Sequence, residues 1–273
     1  MIEVKNFTKE YTIEKKAVDD ISFEARDGEI FGFLGPNGAG KSTTIKSIVG
    51  INSKTKGEIF INGLSLEEDP MAYKKQFSYV PDNPELFENY SGNEYINFIA
   101  DIYGIDTETR KERLDYYLGF FDIKDAMKDQ ISTYSHGMAQ RLAIIGALIH
   151  DPQVLILDEP MVGLDAKSAY NLKQILRARA EAGKCVMFST HVMEVAQELC
   201  DRIAIIAKGK IIAMGTLEEI KHIANNDGTL ESIFSGLGDA ALLFTFPLFL
   251  GIFFYLCSRV PNNTHHKKDG DSS

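Results

Sequence analysis

Gly35, Pro36, Asn37, Gly38, Ala39, Gly40, Lys41 and Ser42 follow one another as a complete G-x-x-x-x-G-K-[ST] run. Such a loop suits one kind of chemistry. Its glycines let the backbone curl until successive N–H groups converge on phosphate oxygens, and a helix starting there adds positive potential. Lys41 would reach the β- and γ-phosphates and the Ser42 hydroxyl would ligate Mg²⁺, with Thr43 next to them. A second set of residues lies over a hundred positions later, where the apolar run Val154-Leu155-Ile156-Leu157 ends in Asp158-Glu159. Asp158 would stand near the metal, and Glu159 could polarise an attacking water. A phosphate loop with its own base points to hydrolysis of a nucleoside triphosphate rather than to binding alone.

These side chains need strands and helices to hold them. Ile30-Phe31-Gly32-Phe33-Leu34 before the loop is short and apolar, as a buried parallel strand is. After the loop Ile45, Ile48 and Val49 recur at helical spacing, and Gly50 is a C-terminal stop. Val154–Leu157 reads as a second buried strand, and ligands of open α/β sheets bind at the carboxyl ends of strands. Residues 2–8 and 18–24 predict antiparallel strands. Glu58–Ile61 predicts a strand entering a tight turn at Asn62-Gly63, and Lys208-Gly209 a late hairpin between 203–207 and 211–214. From about 86 to 130 the pattern is charged, aromatic and helical. Tyr95, Phe98, Ile99 and Ile102 at i, i+3, i+4 and i+7 predict a stripe packed within a helical layer. The fold class is α/β: a P-loop nucleotide-hydrolase core with an antiparallel β subdomain and an inserted helical subdomain, plus a C-terminal apolar helix.

Between the two nucleotide motifs lies Tyr134-Ser135-His136-Gly137-Met138-Ala139-Gln140-Arg141, about twenty residues before the Asp-Glu pair. By these motifs and their order, the chain from residue 1 to about 237 resembles the ATP-binding cassette (ABC) ATPases. The octet stands where that family carries its L-S-G-G-Q signature; Ser135 and Gly137 match, while Tyr134, His136 and Met138 depart. The resemblance implies that Ser135 and Gly137 cap the γ-phosphate of ATP held by an opposite cassette, with a helix N-terminus facing the anion. An ordinary helix N-cap at Ser135 is compatible with the same residues.

Gly163-Leu164-Asp165 resembles the family's D-loop, which implies that Asp165 helps couple the two sites of a dimer. His191, in Ser189-Thr190-His191 after the apolar Val186-Met187-Phe188, stands where the switch histidine contacts the γ-phosphate. Tyr11 lies where an aromatic residue stacks on adenine. By resemblance, then, catalysis falls to Glu159, His191 and Lys41, with ATP and Mg²⁺ as cofactors. Where the family usually has a glutamine, this chain reads Tyr79-Val80-Pro81-Asp82. Asp82 either ligates Mg²⁺, directly or through water, or only forms a turn after Pro81, with Glu85 or no residue in that role. Asp82–Phe87 also resembles the coupling segment that meets a transporter's membrane subunit.

Composition agrees with one such domain and a little more. The chain has 273 residues, 44% of them apolar, and a formal charge of −10, which argues against a general nucleic-acid surface. Cys185, Cys200 and Cys257 are widely spaced and, with an ATP site, indicate a reducing cytosol without structural disulfides. Met1-Ile2-Glu3-Val4-Lys5 is not the start of a signal peptide. The expected organisation is a nucleotide-binding domain over 1–237, with its helical subdomain at about 86–140, then an apolar run over 240–258 and a polar tail over 259–273.

Ala240 to Ser258 is 19 residues without a charge, bounded by Asp239 and Arg259. It is just long enough to span a bilayer. Arg259, Lys267 and Lys268 on its far side run against the usual positive-inside preference. Three readings stay open: a membrane-embedded helix, a helix buried against a partner subunit, and a core segment of the domain. A second phosphate loop is absent from the sequence, so a composite site needs a second cassette, either another copy or a relative.

The expected function is the ATP-hydrolysing subunit of a transporter at the cytoplasmic face of the cell membrane, anchored there by the C-terminal helix on the membrane-embedded reading of 240–258. Tyr79–Pro81, Tyr134–Met138 and the ending Asn226-Asp227-Gly228-Thr229-Leu230-Glu231 resemble exporter-type cassettes. The alternative is a soluble ABC ATPase that remodels a macromolecule.

Overall fold

The computed structural model describes residues 1–12 and 15–223, with Lys15 by its backbone alone. The run 240–258, the tail 259–273 and the 226–231 segment lie outside the described residues. Among the described residues no helix is long and apolar enough to cross a membrane.

In chain order the strands are β1 (Ile2–Thr12), β2 (Lys15–Ala25), β3 (Ile30–Leu34), β4 (Lys56–Ile61), β5 (Leu64–Ser65), β6 (Phe77–Val80), β7 (Val154–Asp158), β8 (Cys185–Thr190), β9 (Arg202–Ala207) and β10 (Lys210–Gly215). The helices are α1 (Lys41–Ile48), α2 (Pro70–Lys74), α3 (Gly92–Ile102), α4 (Thr107–Phe120), α5 (His136–Leu148), α6 (Ala166–Glu181), α7 (Met193–Leu199) and α8 (Leu217–Ile223). Two sheets result. One is antiparallel in the order β2-β1-β4-β5, and the other runs β10-β9-β3-β8-β7-β6. In the second, β9, β3, β8, β7 and β6 are parallel and β10 closes one edge antiparallel.

The continuous apolar runs follow from burial on both sheet faces. Val154 and Ile156 of β7 join Phe31, Phe33 and Met187 in the core shared with α1 and the antiparallel sheet. Leu155 and Leu157 point the other way, into a core with Phe188 of β8, α5 and α6. Phe23 of β2 seals the first core, its ring 5.5 Å from Phe31 and 5.3 Å from Phe33. All five residues of β3 and of β7 are buried, which fixes the strand ends that carry the phosphate loop and the Asp-Glu pair.

The N-terminal strands are antiparallel as their alternation predicts, but longer, and Asn62-Gly63 makes the turn between β4 and β5 with φ of 50° and 76°. The apolar stripe expected within the helical layer comes out differently. In α3 the fully buried positions are Ile96 and Ala100, while Phe98 and Ile102 are exposed at 37% and 61%. Ser91 and Glu94 form a reciprocal capping box that sets where this helix starts. Tyr95 then lies against Gly146 of α5, where a Cβ would be 2.9 Å from the ring. Helix α3 therefore presents the Phe98 side outward.

Candidate functional site

The phosphate loop is shaped by contacts that only glycine permits at two positions. A Cβ on Gly35 would lie 2.3 Å from the Ile206 carbonyl oxygen, and one on Gly40 (φ 114°) 2.8 Å from that of Ala17. The Gly35 N–H donates to the Thr190 carbonyl at 3.2 Å, which ties the loop to the end of β8, and the Gly209 N–H donates to Ala39 at 2.9 Å. Lys41 is buried, and its Nζ donates to the Gly35 carbonyl at 2.8 Å. The same Nζ lies 3.3 Å from Oε1 of Glu159.

Asp158, at the C-terminal end of β7, is fully buried and accepts a hydrogen bond from the Ser189 hydroxyl. The two residues are register partners across β7 and β8. Burial pushes the Asp158 carboxyl above the ordinary carboxylate range, against the pull of the Ser189 and Ser42 hydroxyls; nearby Asp82 and Glu159 add to the rise. Its Oδ2 has no hydrogen-bond partner. An orphaned buried carboxylate oxygen beside a serine hydroxyl suits a hard cation such as Mg²⁺. Among the described residues no three His, Cys, Asp or Glu side chains gather into a cage. That agrees with the usual Mg²⁺ arrangement of one or two protein groups plus substrate phosphates.

Glu159 holds a left-handed backbone conformation, φ 49°, unusual for a residue with a side chain. Its N–H donates to the Ser189 carbonyl and hydroxyl, both at 3.2 Å. The carboxylate then meets His191, whose Nδ1 lies 3.0 Å from Oε2. A carboxylate between a lysine and a histidine, one residue beyond the buried aspartate, can orient and polarise a water.

A cavity of about 470 Å³ is lined by Tyr11, Asn37, Gly38, Gly40, Lys41, Ser42, Thr43, Asp82 and Glu159; Asp158 and His191 adjoin it through Glu159 without lining it. Tyr11 is exposed at its rim, its hydroxyl 3.5 Å from Thr43 Oγ1 and accepting from Asn52 Nδ2 at 3.2 Å. Asp82 accepts the Asn83 N–H at 3.0 Å, a turn contact that leaves its other oxygen available to the cavity. Ser135, Gly137 and Asp165 do not line this cavity. Ser135 caps α5, accepting from Met138 N at 3.3 Å. Asp165 caps α6 and pairs with Arg141 at 3.2 Å; hydrogen bonds from Ser168 hold its carboxyl below the ordinary range. Four residues outside the sequence motifs' assigned roles join the site: Ser189 bonds Asp158, Arg141 pairs with Asp165, and Lys16 and Lys208 line the cavity. Ser189 was within reach of sequence reasoning, since it lies near the end of β8, the apolar strand that His191 follows. Lys16 and Lys208 come together at the cavity where the Asp19 N–H of β2 donates to the Gly209 carbonyl in the β9–β10 turn at 2.9 Å.

A family model described as ABC transporter matches residues 18–162. The chain is 38% identical over 229 residues to the ABC transporter ATP-binding protein YhcH of Bacillus subtilis, covering 83% of this chain and 73% of that one. It is 35% identical to the linearmycin resistance ATP-binding protein LnrL of the same organism, covering 89% and 78%. Among solved structures, an ATP-binding subunit of an ABC transporter superposes with a TM-score of 0.84 at 32% identity, covering 87% of this chain and 99% of that one. A dimeric post-hydrolysis state of the cassette MJ0796 bound to ADP and Pi superposes at 0.71 with 26% identity, covering 80% and 99%. Fold and site thus define an ATPase built on a phosphate-binding loop. The chain belongs to the ATP-binding proteins of the ABC transporter family.

Proposed function

We propose that this chain is the ATP-hydrolysing subunit of an ABC exporter, working as a pair of cassettes beneath a membrane-spanning partner. Support for hydrolysis comes from one observation above all: Glu159 held between Lys41 and His191, next to a buried aspartate with a free oxygen. The loop N–H groups and Lys41 bind the phosphates, and Tyr11 stacks on the base. Ser42 and Asp158 would hold Mg²⁺, with Asp82 as a further carboxylate; the ion, when bound, neutralises charge on the phosphates. Glu159 orients the water for in-line attack, and His191 keeps that carboxylate in place and faces the γ-phosphate. Ser135 and Gly137, absent from their own chain's cavity, serve the nucleotide of the second cassette, which suits the dimeric form of MJ0796.

The membrane partner is supported by a separate groove of about 420 Å³, lined by Tyr79, Pro81, Leu86, Tyr95, Ile99 and Tyr103 among others. Exposed rings of Phe87, Tyr90 and Phe98 pack on one another at its border, with centroids 5.3–6.0 Å apart. Exposed apolar clusters mark partner surfaces, and the 81–87 segment joins this one directly to Asp82 in the nucleotide cavity. Relatives named for linearmycin resistance and multidrug transport favour export. Such a subunit works at the cytoplasmic face of the membrane.

The test uses cell membranes and a chain lacking 240–273, so that attachment must come through a partner. The truncated chain should sediment with membranes, and Phe98→Glu should release it. Retention of the variant would show that this groove does not dock the partner. Association with ribosomes or DNA instead would support a remodelling ATPase.

A further inference from the structure

His136 is the residue at which the signature octet departs from glycine, and the structure gives its ring a specific place. A Cβ added to Gly163 would lie 2.6 Å from His136 Cδ2 and 3.0 Å from Nε2, so the imidazole edge fills the space above that glycine. The next residue closes on the same spot from another side. A Cβ on Gly137 would lie 2.6 Å from the Gly163 carbonyl oxygen. One turn further along α5, Arg141 pairs with Asp165 at 3.2 Å. The start of α5 therefore grips the 163–165 segment of its own chain at three points. That segment is short-wired to Glu159: the Val162 N–H donates to the Glu159 carbonyl at 3.1 Å, and Leu164 N–H to Met161 at 3.3 Å.

We propose that His136 is a positioning residue for Glu159 of the same chain, its ring holding Gly163 and so fixing the 159–165 turn from which that carboxylate projects. Glu159 and Gly163 both have left-handed backbones, φ 49° and 79°. A turn held in that conformation depends on its surroundings to stay there. The proposal rests on the two-cassette reading above. In that setting, α5 faces the opposite nucleotide with Ser135 while it braces its own catalytic turn with His136, so the two sites share one mechanical element.

The test uses full-length chains in mixed pairs. In the first mixture a His136→Gly chain is combined with excess Glu159→Gln chain, so the only competent Glu159 lies beside the missing ring. Its kcat should fall between about 5- and 100-fold against wild type in the same excess, with KM unchanged, as expected for a displaced catalytic group. In the second, wild type is combined with excess chain carrying both substitutions, and the rate should match the wild-type control. His136→Phe, which keeps a flat ring over Gly163, should restore the rate of the first mixture. The reverse pattern would assign His136 to the opposite cassette's phosphate and overturn the proposal. Slowing in both mixtures, or in neither, would overturn it too.

Hydrogen exchange of the nucleotide-free chain needs no pairing and separates the two readings. Faster exchange over 162–165 in His136→Gly, restored in His136→Phe, is the expected result. If exchange responds while no mixture shows an effect of pairing with Glu159→Gln, the two-cassette reading fails and the brace stands. If exchange does not respond, the brace itself is excluded.

Discussion

His191 Nδ1 lies 3.0 Å from Glu159 Oε2, while the same carboxylate's other oxygen lies 3.3 Å from Lys41 Nζ. Lys41, 118 positions before Glu159, and His191, 32 positions after it, thus share its carboxylate, where the chain leaves three neighbouring parallel strands. Their joint geometry makes the role of each separable by substitution.

Glu159→Gln keeps the size of the side chain and removes its charge. Steady-state hydrolysis should fall by about 10²-fold or more, the scale of a lost general base. ATP affinity should stay within a few fold, because phosphate binding is left to the loop and Lys41. Turnover near the wild-type rate would exclude Glu159 as the base.

Asp158 carries a stability cost that follows from its burial. Its folded pKa is raised above the unfolded value, so the folded chain holds a proton more tightly. The stabilising contribution is therefore present at pH below the unfolded pKa and is lost as pH rises through the folded one. Above its folded pKa the ionised group works against folding. Asp158→Asn should raise the Tm of the nucleotide-free chain by roughly 2–4 °C, equivalent to about 1 kcal/mol in a domain of this size, while abolishing hydrolysis. A fall in Tm would contradict this account.

His150 titrates in the opposite sense. It is stacked on Tyr103 at 3.6 Å, bonded to the Ser78 hydroxyl at 2.9 Å, and pushed down to about 4, first by burial and then by Arg179. The unfolded chain therefore binds the proton first. Stability should decline as pH falls from about 6.5 towards 4. Denaturant titrations across that range should show a smaller decline for His150→Gln than for wild type.

Gly35 and Gly38 should respond differently to alanine. At Gly35 the added Cβ meets the Ile206 carbonyl at 2.3 Å, so the ends of β3 and β9 must part and ATP affinity should drop at least tenfold or so. At Gly38 the Cβ meets nothing, and only the backbone conformation at φ 79° is penalised, by about 1 kcal/mol. Equal losses in equilibrium nucleotide binding would show that steric contact is not what the Gly35 position avoids.

Much of the site was legible because its chemistry is local. The phosphate loop needs its glycines, lysine and serine in consecutive places, and Asp158-Glu159 needs only a buried strand in front of it. Helix α3 was less legible. Its apolar positions are compatible with two faces turned inward, and the choice was made by the Ser91–Glu94 cap and by the fit of Tyr95 on Gly146. Ser189 escaped notice for a similar reason, because its value lies in its register with Asp158.

The sequence by itself determined the phosphate loop, the buried strands beside it and the order of the motifs, since backbone conformation and hydrophobic period are written in neighbouring residues. Only the tertiary structure decided that Glu159 sits between Lys41 and His191, and that Ser135 lies outside the lining of its own chain's cavity. It also decided that His136 leans on Gly163. Those relationships join residues far apart in the chain. They arise from strand order, helix packing and a few close backbone approaches, and no local pattern encodes a distance.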